Sequence, residues 1–349
     1  MIVVMETTAG ERQVEDVIRR VEEFGFGTRI VVGAERSIIG VLGSPLPDSL
    51  QEALQLLPGV EQVLRISKRY KLVSREFHPV DTVIEVGGVH IGGDEVVIMA
   101  GPCSVEDEEQ ILATAHAVKA AGGSILRGGA FKPRTSPYEF RGLGEDGLRY
   151  LARAREETGL PIITEVLSVG DIDLVAQYAD ILQIGARNAQ NFLLLEEVGK
   201  TNKPVMLKRG MSTQIEEWLL AAEYIMAQGN ERVMLCERGI RTFETVTRNT
   251  LDLSAVPVVQ RLSHLPVIVD PSHGTGKWYL VPSMMLAAVA AGADGLMVEV
   301  HPNPDHARSD GAQSLTFENF TAAMTRTARV AEAVGRQVRQ PLVDAALGD

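Results

Sequence analysis

Two cysteines, Cys103 and Cys236, in 349 residues are too few for a disulfide framework and fit a reducing compartment. Cations are scarce as well: 34 Lys and Arg face 46 Asp and Glu, and the net charge of −12 would repel a nucleic acid or an anionic membrane. No apolar run approaches the roughly 20 residues of a membrane helix, and the first residues lack the basic, apolar, small-residue order of a secretion signal. The expected location is cytoplasmic. With 45% hydrophobic and 23% charged residues the chain has ample material for a large core, so disorder is not expected. Any cationic pocket has to be local.

Eight short apolar runs each end in a residue able to hold a metal or an anion. They are VVIMAGPC at Cys103, SILRGGAFK from Arg127 to Lys132, IITE at Glu165, ILQIGAR at Arg187, VMLK at Lys208, VMLCER at Arg238, VIVDPSH at His273 and GLMVE at Glu299. From Val96 onward such runs alternate with helical stripes at roughly 20 to 35 residues per repeat, the spacing of βα units. The α/β fold predicted for residues 96–340 is a TIM (β/α)8 barrel, which gathers the carboxyl ends of its strands into one rim. Ile111, Ala115 and Val118 mark one helix, with Ser104 and Asp107 read as a capping box and Gly122 as its stop. Ile215, Trp218, Leu219 and Ala222 mark another, stopped at Gly229.

The first 70 residues follow another rhythm. A strand at Ile2 to Met5 precedes a helix with Val14, Val17, Ile18 and Val21 on one face. A hairpin is expected around Ala34 to Arg36, then a helix with Leu50, Ala53, Leu54 and Leu57, and a strand from Val60 to Ile66. This βαββαβ order is that of a small ferredoxin-like domain, and no catalytic cluster is visible in it. Residues 71–95 read as a linker followed by a hairpin turned by Gly87-Gly88, suited to plug the amino-terminal mouth of the barrel.

Five cations end or follow neighbouring strands: Arg127, Lys132, Arg187, Lys208 and Arg238. Two unit charges about 5 Å apart repel by roughly 3 kcal/mol at an effective dielectric near 20, so a cluster of five requires an anion. Taken singly, each could equally cap a helix or pair with a rim carboxylate. Cys103, His273, Glu299 and Asp310 form a donor set of borderline softness, suited to Mn, Fe, Co, Zn or a similar divalent ion. KPRTS, Lys132 to Ser136, offers cations, hydroxyls and amides in one loop, a phosphate clamp or else a basic surface turn. DPSHGTGK, Asp270 to Lys277, is no phosphate loop, because Pro271 stands where the first glycine would be. Gly274 to Gly276 are expected to make a flexible loop. His78, His90, His116, His264 and His306 read as core or surface, Cys236 as core, and His301 as a neighbour of the site.

In order and at fitting intervals, AGPCSVE, LRGGAFKPRTSPY, TEV, QIGARN, LKRG, CERGIRT, DPSHGTG and VEVHPNPDHARSDGAQSL resemble the 3-deoxy-D-arabino-heptulosonate 7-phosphate (DAHP) synthases. The resemblance is to the short type I form with an amino-terminal ferredoxin-like domain. It implies a metal-dependent condensation of phosphoenolpyruvate with erythrose 4-phosphate to DAHP and phosphate, the first step of the shikimate pathway toward chorismate and the aromatic amino acids. It implies that Arg187, Lys208 and Arg238 cage the phosphate of phosphoenolpyruvate, with Glu165 nearby, while Arg127 and Lys132 grip its carboxylate. Lys132, Pro133, Arg134, Thr135, Ser136 and Asp310 would serve erythrose 4-phosphate. Cys103, His273, Glu299 and Asp310 would hold one divalent metal, with Lys132 as proton donor and Glu165 or His273 handling water.

The resemblance further implies a homo-oligomer, a tetramer, and tyrosine or phenylalanine as effector at residues 1–70, against which stands a passive oligomerisation domain. Two other enzymes stay open. The 3-deoxy-D-manno-octulosonate 8-phosphate synthases carry Ala-Asn-Arg-Ser-Ser where this chain has PRTS, and a Schiff-base aldolase would use Lys208. Lys277-Trp278-Tyr279 departs from the basic-acidic pair of many relatives, and no chorismate mutase helix set is expected at either end.

Overall fold

The computed structural model describes residues 1–32, 36–43, 45–65, 69–133, 136 and 138–338. The chain divides into two compact units, residues 1–80 with 262–264 and residues 81–261 with 265–349.

In the first unit β1 (Ile2–Met5), α1 (Glu11–Glu23), β2 (Gly27–Val32), β3 (Ser37–Leu42), α2 (Asp48–Gln55) and β4 (Val60–Leu64) follow the expected order. The antiparallel sheet runs β2-β3-β1-β4, the ferredoxin-like arrangement. Val17 and Val21 on α1, and Leu50 and Leu54 on α2, lie four residues apart, so each helix buries one stripe. These stripes join Val3, Met5, Ile39, Val41 and Val63 in a single core. Of the expected turn, Ala34 and Glu35 lie outside the described residues; the pairing of Val32 with Ser37 sets the register beside it.

The second unit opens with a hairpin, β5 (Ile84–Val86) and β6 (Val89–Ile91). Its turn places Gly87 and Gly88 at φ of 54° and 78°, a conformation that costs glycine nothing and suits a two-residue hairpin. There follow β7 (Val97–Gly101), α3 (Glu108–Ala120), β8 (Ile125–Arg127), α4 (Glu145–Thr158), β9 (Ile162–Val166), α5 (Ile172–Tyr178), β10 (Ile181–Ile184) and α6 (Phe192–Gly199). The series continues with β11 (Val205–Lys208), α7 (Ile215–Ala227), β12 (Val233–Glu237), α8 (Ala255–Leu262), β13 (Val267–Val269), α9 (Pro271–Thr275), α10 (Val281–Ala290), β14 (Gly295–Glu299) and α11 (Phe317–Ala333). Eight parallel strands, β7 to β14, close into a barrel, with β14 pairing β7.

The interior is apolar toward the amino-terminal ends of the strands. Val97, Met99, Ile125, Ile181, Met206, Met234, Ile268 and Met297 meet there, and Ile84, Val86, Val89 and Ile91 of the hairpin pack into the same cluster. Polar chemistry is thereby confined to the opposite rim. Among the described residues, no helix is long and apolar enough to cross a membrane.

Two local expectations are corrected. The cap of α3 is Asp107, whose carboxylate accepts from Gln110 N–H at 2.8 Å, while the Ser104 hydroxyl pairs with that of Ser309. The stretch expected as a flexible loop after the seventh barrel strand is the helical turn α9. Asp270 caps it, Pro271 supplies a preset φ at its first position, and Gly276 ends it at φ 69°.

Candidate active site

A cavity at the carboxyl ends of the strands is lined by Arg127, Lys132, Pro133, Glu165, Arg187, Lys208, Arg238, His273 and Asp310, all singled out from the sequence. Most arrive from the ends of different strands, while Lys132 and Pro133 follow Arg127 after β8 and Asp310 stands on the connection after β14. Arg127 and Lys208 are the last residues of β8 and β11, and Arg238 is one residue past β12. Glu165 lies within β9, and Arg187 stands in a short turn after β10. Arg134 and Thr135 lie outside the described residues. Ser136 does not line the cavity, and its hydroxyl accepts from Tyr138 N–H at 3.4 Å within its own loop.

Beneath the cavity, ligand atoms of Cys103, Glu299 and Asp310 all lie within 4.8 Å of one another. Cys103 Sγ donates to Asp310 Oδ2 at 3.3 Å. His273 is not part of that three-way group, yet its Nε2 is 3.4 Å from Glu299 Oε1 and its Nδ1 is 2.7 Å from Asp270 Oδ2. Burial, followed by the charge of Glu299, pushes the Cys103 thiol above its ordinary value. Burial also holds His273 below its ordinary value, against the pull of Asp270 and Glu299, so the ring is neutral near pH 7. A thiol and two carboxylates this close together, with the His273 ring 3.4 Å from one of them, are a donor set suited to a divalent transition ion, and the Asp270 carboxylate fixes the orientation of that ring.

The cations fall into two groups. Arg127 NH1 donates to Glu299 Oε1 at 2.9 Å and to Pro102 O at 2.7 Å, and Lys208 Nζ sits 2.5 Å from Asp270 Oδ2. Lys132 Nζ donates to Cys103 O at 2.8 Å. By contrast, Arg238 is 5% exposed and its one hydrogen bond among the described residues goes to Gly239 O at 3.4 Å. Burial depresses its guanidinium below the ordinary value. Arg187 is exposed and makes no ion pair among the described residues. Glu165 accepts from Gln183 Nε2 at 3.4 Å and lies so close to Gly185 that a Cβ there would meet Glu165 Oε1 at 2.0 Å, so any larger residue at 185 would push the Glu165 carboxylate aside.

Comparison with known proteins agrees with this arrangement. Residues 73–334 match the DAHP synthetase I family, and residues 1–68 match the DAHP synthase ferredoxin-like domain. The chain belongs to the DAHP synthetase I family. It is 52% identical over 338 residues to the phospho-2-dehydro-3-deoxyheptonate aldolase of Thermotoga maritima, covering 97% of this chain and 100% of that protein. The crystal structure of a phospho-2-dehydro-3-deoxyheptonate aldolase (DAHP synthase) from Thermotoga maritima superposes with a TM-score of 0.77 at 50% identity, covering 97% of this chain and 98% of that one. The 2-dehydro-3-deoxyphosphooctonate aldolase of Koribacter versatilis is more distant, 32% identical over 72% of this chain and 96% of its own length.

Several partners of the DAHP synthetase site escaped the sequence reading. Arg248 lines the cavity and donates to Asp310 Oδ1 at 3.3 Å and to Gln313 Oε1 at 2.8 Å. Gln313 in turn donates to Glu299 Oε2 at 2.7 Å. Neither residue follows a strand end, which was the signal used to find the others. His301 is buried two residues past Glu299, with its Nε2 turned to Glu106 at 3.4 Å rather than into the cavity. Cys236 is fully buried, and burial raises its thiol far above the ordinary range, as expected of a core residue. Lys277, Trp278 and Tyr279 border a separate groove with Pro304 and Asn319.

Proposed function

We propose that the chain condenses phosphoenolpyruvate with erythrose 4-phosphate to give DAHP and inorganic phosphate. The observation that carries this reading is a single cavity lined by six cationic side chains, Arg248 included, above the Cys103–Glu299–Asp310 group, in a chain of net charge −12. Two phosphates and a carboxylate offset that positive excess. Arg187 and Arg238, which lack carboxylate partners among the described residues, take the phosphate of phosphoenolpyruvate together with Lys208. Arg127 and Lys132 hold its carboxylate. Lys132, Pro133 and Asp310 serve erythrose 4-phosphate together with Arg134 and Thr135, and Ser136, which does not line the cavity, falls outside that set.

A divalent cation held by Cys103, His273, Glu299 and Asp310, of the manganese, iron, cobalt or zinc type, would supply Lewis acidity to the aldehyde. The fixed cations bring C3 of the enol phosphate against the aldehyde carbon and turn a chance encounter into an oriented one. Lys132, between the two substrate positions, delivers the proton to the new hydroxyl. Water adds at C2 and the phosphate leaves by C–O cleavage. His273 is engaged through Nδ1 by Asp270 and belongs to the ligand set, which leaves Glu165 to activate the water. Lys208 is engaged by Asp270 and is a poor candidate for a Schiff base.

The same reading makes residues 1–70 a regulatory unit for tyrosine or phenylalanine and the assembly a cytoplasmic homotetramer. The test is phosphate release from phosphoenolpyruvate with erythrose 4-phosphate and with arabinose 5-phosphate, with and without chelator. Chelator-sensitive release with the four-carbon sugar is expected. Preference for arabinose 5-phosphate, or borohydride trapping of substrate on Lys208, would replace this reading.

A further inference from the structure

We propose that Arg209, Glu237 and Asp252 form a buried clamp that aims the phosphate cage without touching substrate. Arg209 NH1 lies 2.9 Å from both Glu237 Oε2 and Asp252 Oδ2, and Arg209 Nε donates to Thr213 O at 2.9 Å. Its guanidinium rests 5.8 Å from the centroid of the Trp218 ring. Glu237 Oε1 accepts from Gly239 N–H at 2.6 Å and from Asp252 N–H at 3.5 Å. The clamp therefore ties the end of β11 to the end of β12 and to the far end of the connection that follows β12.

None of the three residues lines the cavity. Each is placed to steer one that does. Arg209 follows Lys208 and Glu237 precedes Arg238, and neighbours in an extended chain point to opposite sides. Among the described residues Arg238 has no side-chain partner to hold its direction, so its aim is set by the backbone that Glu237 anchors. Stability alone does not call for charges here, because a buried ion pair seldom outperforms well-packed apolar residues. The inference rests on the phosphate-cage reading above, not on the condensation itself.

Asp252, 19% exposed in its side chain, is the mild point of attack. Asp252→Asn removes a negative charge close to an anion site, so a purely electrostatic role predicts tighter anion binding. A positioning role predicts the opposite sign, because a small displacement of a binding group is enough to lose much of its interaction. Calorimetric titration of phosphoenolpyruvate into the metal-loaded full chain is expected to show affinity weakened by at least about tenfold in Asp252→Asn. Arg209→Lys, which keeps the charge but cannot hold Thr213 O through Nε while NH1 meets both carboxylates, is expected to weaken it similarly. Melting temperatures measured alongside separate this from loosening of the fold. Unchanged or tighter binding in either folded variant, or a lower melting temperature with wild-type affinity, overturns the clamp. A wild-type chain that fails to bind phosphoenolpyruvate overturns both the clamp and the cage. One that binds it without releasing phosphate overturns the proposed reaction and leaves the clamp to be judged on the variants' affinities.

Discussion

Replacing Asp270 with Asn separates the roles that converge on one carboxylate. Asp270 is fully buried, its Oδ1 accepts from His273 N–H at 2.9 Å as the cap of α9, and its Oδ2 faces both Lys208 Nζ at 2.5 Å and His273 Nδ1 at 2.7 Å. Burial opposes its ionisation, but His273, charged in the acid range where this carboxylate titrates and hydrogen-bonded to it throughout, and the charge of Lys208 outweigh burial and hold it well below the usual carboxylate range. The amide retains an oxygen for the cap and loses the charge. Lys208 is then left buried without a counterion, which costs about 3–5 kcal/mol. The amide NH2 also competes for the position that accepts Nδ1–H, so the tautomer that presents Nε2 to the metal is no longer enforced. Loss of such an orienting partner lowers metal affinity about 10–100-fold, or roughly 1.4–2.7 kcal/mol. Asp270→Ala is expected to lose a further ~1 kcal/mol of stability with the cap. Denaturant unfolding of the metal-free chain and competitive metal titration of folded protein give the two numbers independently. If Asp270→Asn keeps metal affinity within threefold and loses less than about 1 kcal/mol, the assignment of Asp270 as orienter and counterion is wrong.

Four further outcomes are expected. Cys103→Ser will lower metal affinity and activity. Because the buried thiol stays protonated near pH 7, metal binding to the wild type will release about one proton, seen as a buffer-dependent heat that the mutant lacks. Arg187→Ala will cost about 2–4 kcal/mol of transition-state stabilisation with little change in folding stability, and a rate change below threefold would count against it. Burial notwithstanding, the charges of His273 and Arg248 lower Asp310 to about 2. A carboxylate depressed in the fold stabilises above its unfolded value and loses that contribution as pH falls toward its folded value, so the metal-free chain should lose about 2 kcal/mol through Asp310 between roughly pH 4 and 2, a step that Asp310→Asn abolishes. Deleting residues 1–70 should remove inhibition by tyrosine or phenylalanine, and an identical inhibition curve would leave the domain a passive role.

Residue type and position along the strands made much of the site visible in advance. A short apolar run ending in Arg, Lys, Glu or His is a local feature, and barrel closure carries each such end to one rim. The interactions that tune those residues are not local. Arg127 meets Glu299 only because β14 closes beside β7, and no pattern around either residue announces the pairing. Arg248 and Gln313 stand on connections after β12 and β14, where periodicity carries no information about direction. Asp310 adopts φ 52°, a left-handed conformation that Asp enters more readily than most residues but that its sequence does not specify. For α3, Ser104 and Asp107 both satisfied a capping pattern, and the choice fell to Asp107 because the Ser309 hydroxyl claims Ser104 from 205 residues away.

The distribution of counterions explains how one cavity can discriminate between a phosphate and a carboxylate. Arg127 and Lys208 already face carboxylates, so an incoming anion must share them, and the gain is partly offset by what it displaces. Among the described residues Arg238 is buried with only a carbonyl at 3.4 Å, so an arriving anion would recover most of its desolvation. A dianionic phosphate gains most beside such a guanidinium, and a monoanionic carboxylate can settle for the free N–H groups of a guanidinium already paired. Arg238→Lys should therefore weaken phosphoenolpyruvate more than Arg127→Lys, and should also weaken inorganic phosphate, which Arg127→Lys should barely affect. Equal losses for both ligands in both variants would mean that the cavity responds to total charge rather than to which cations lack a partner.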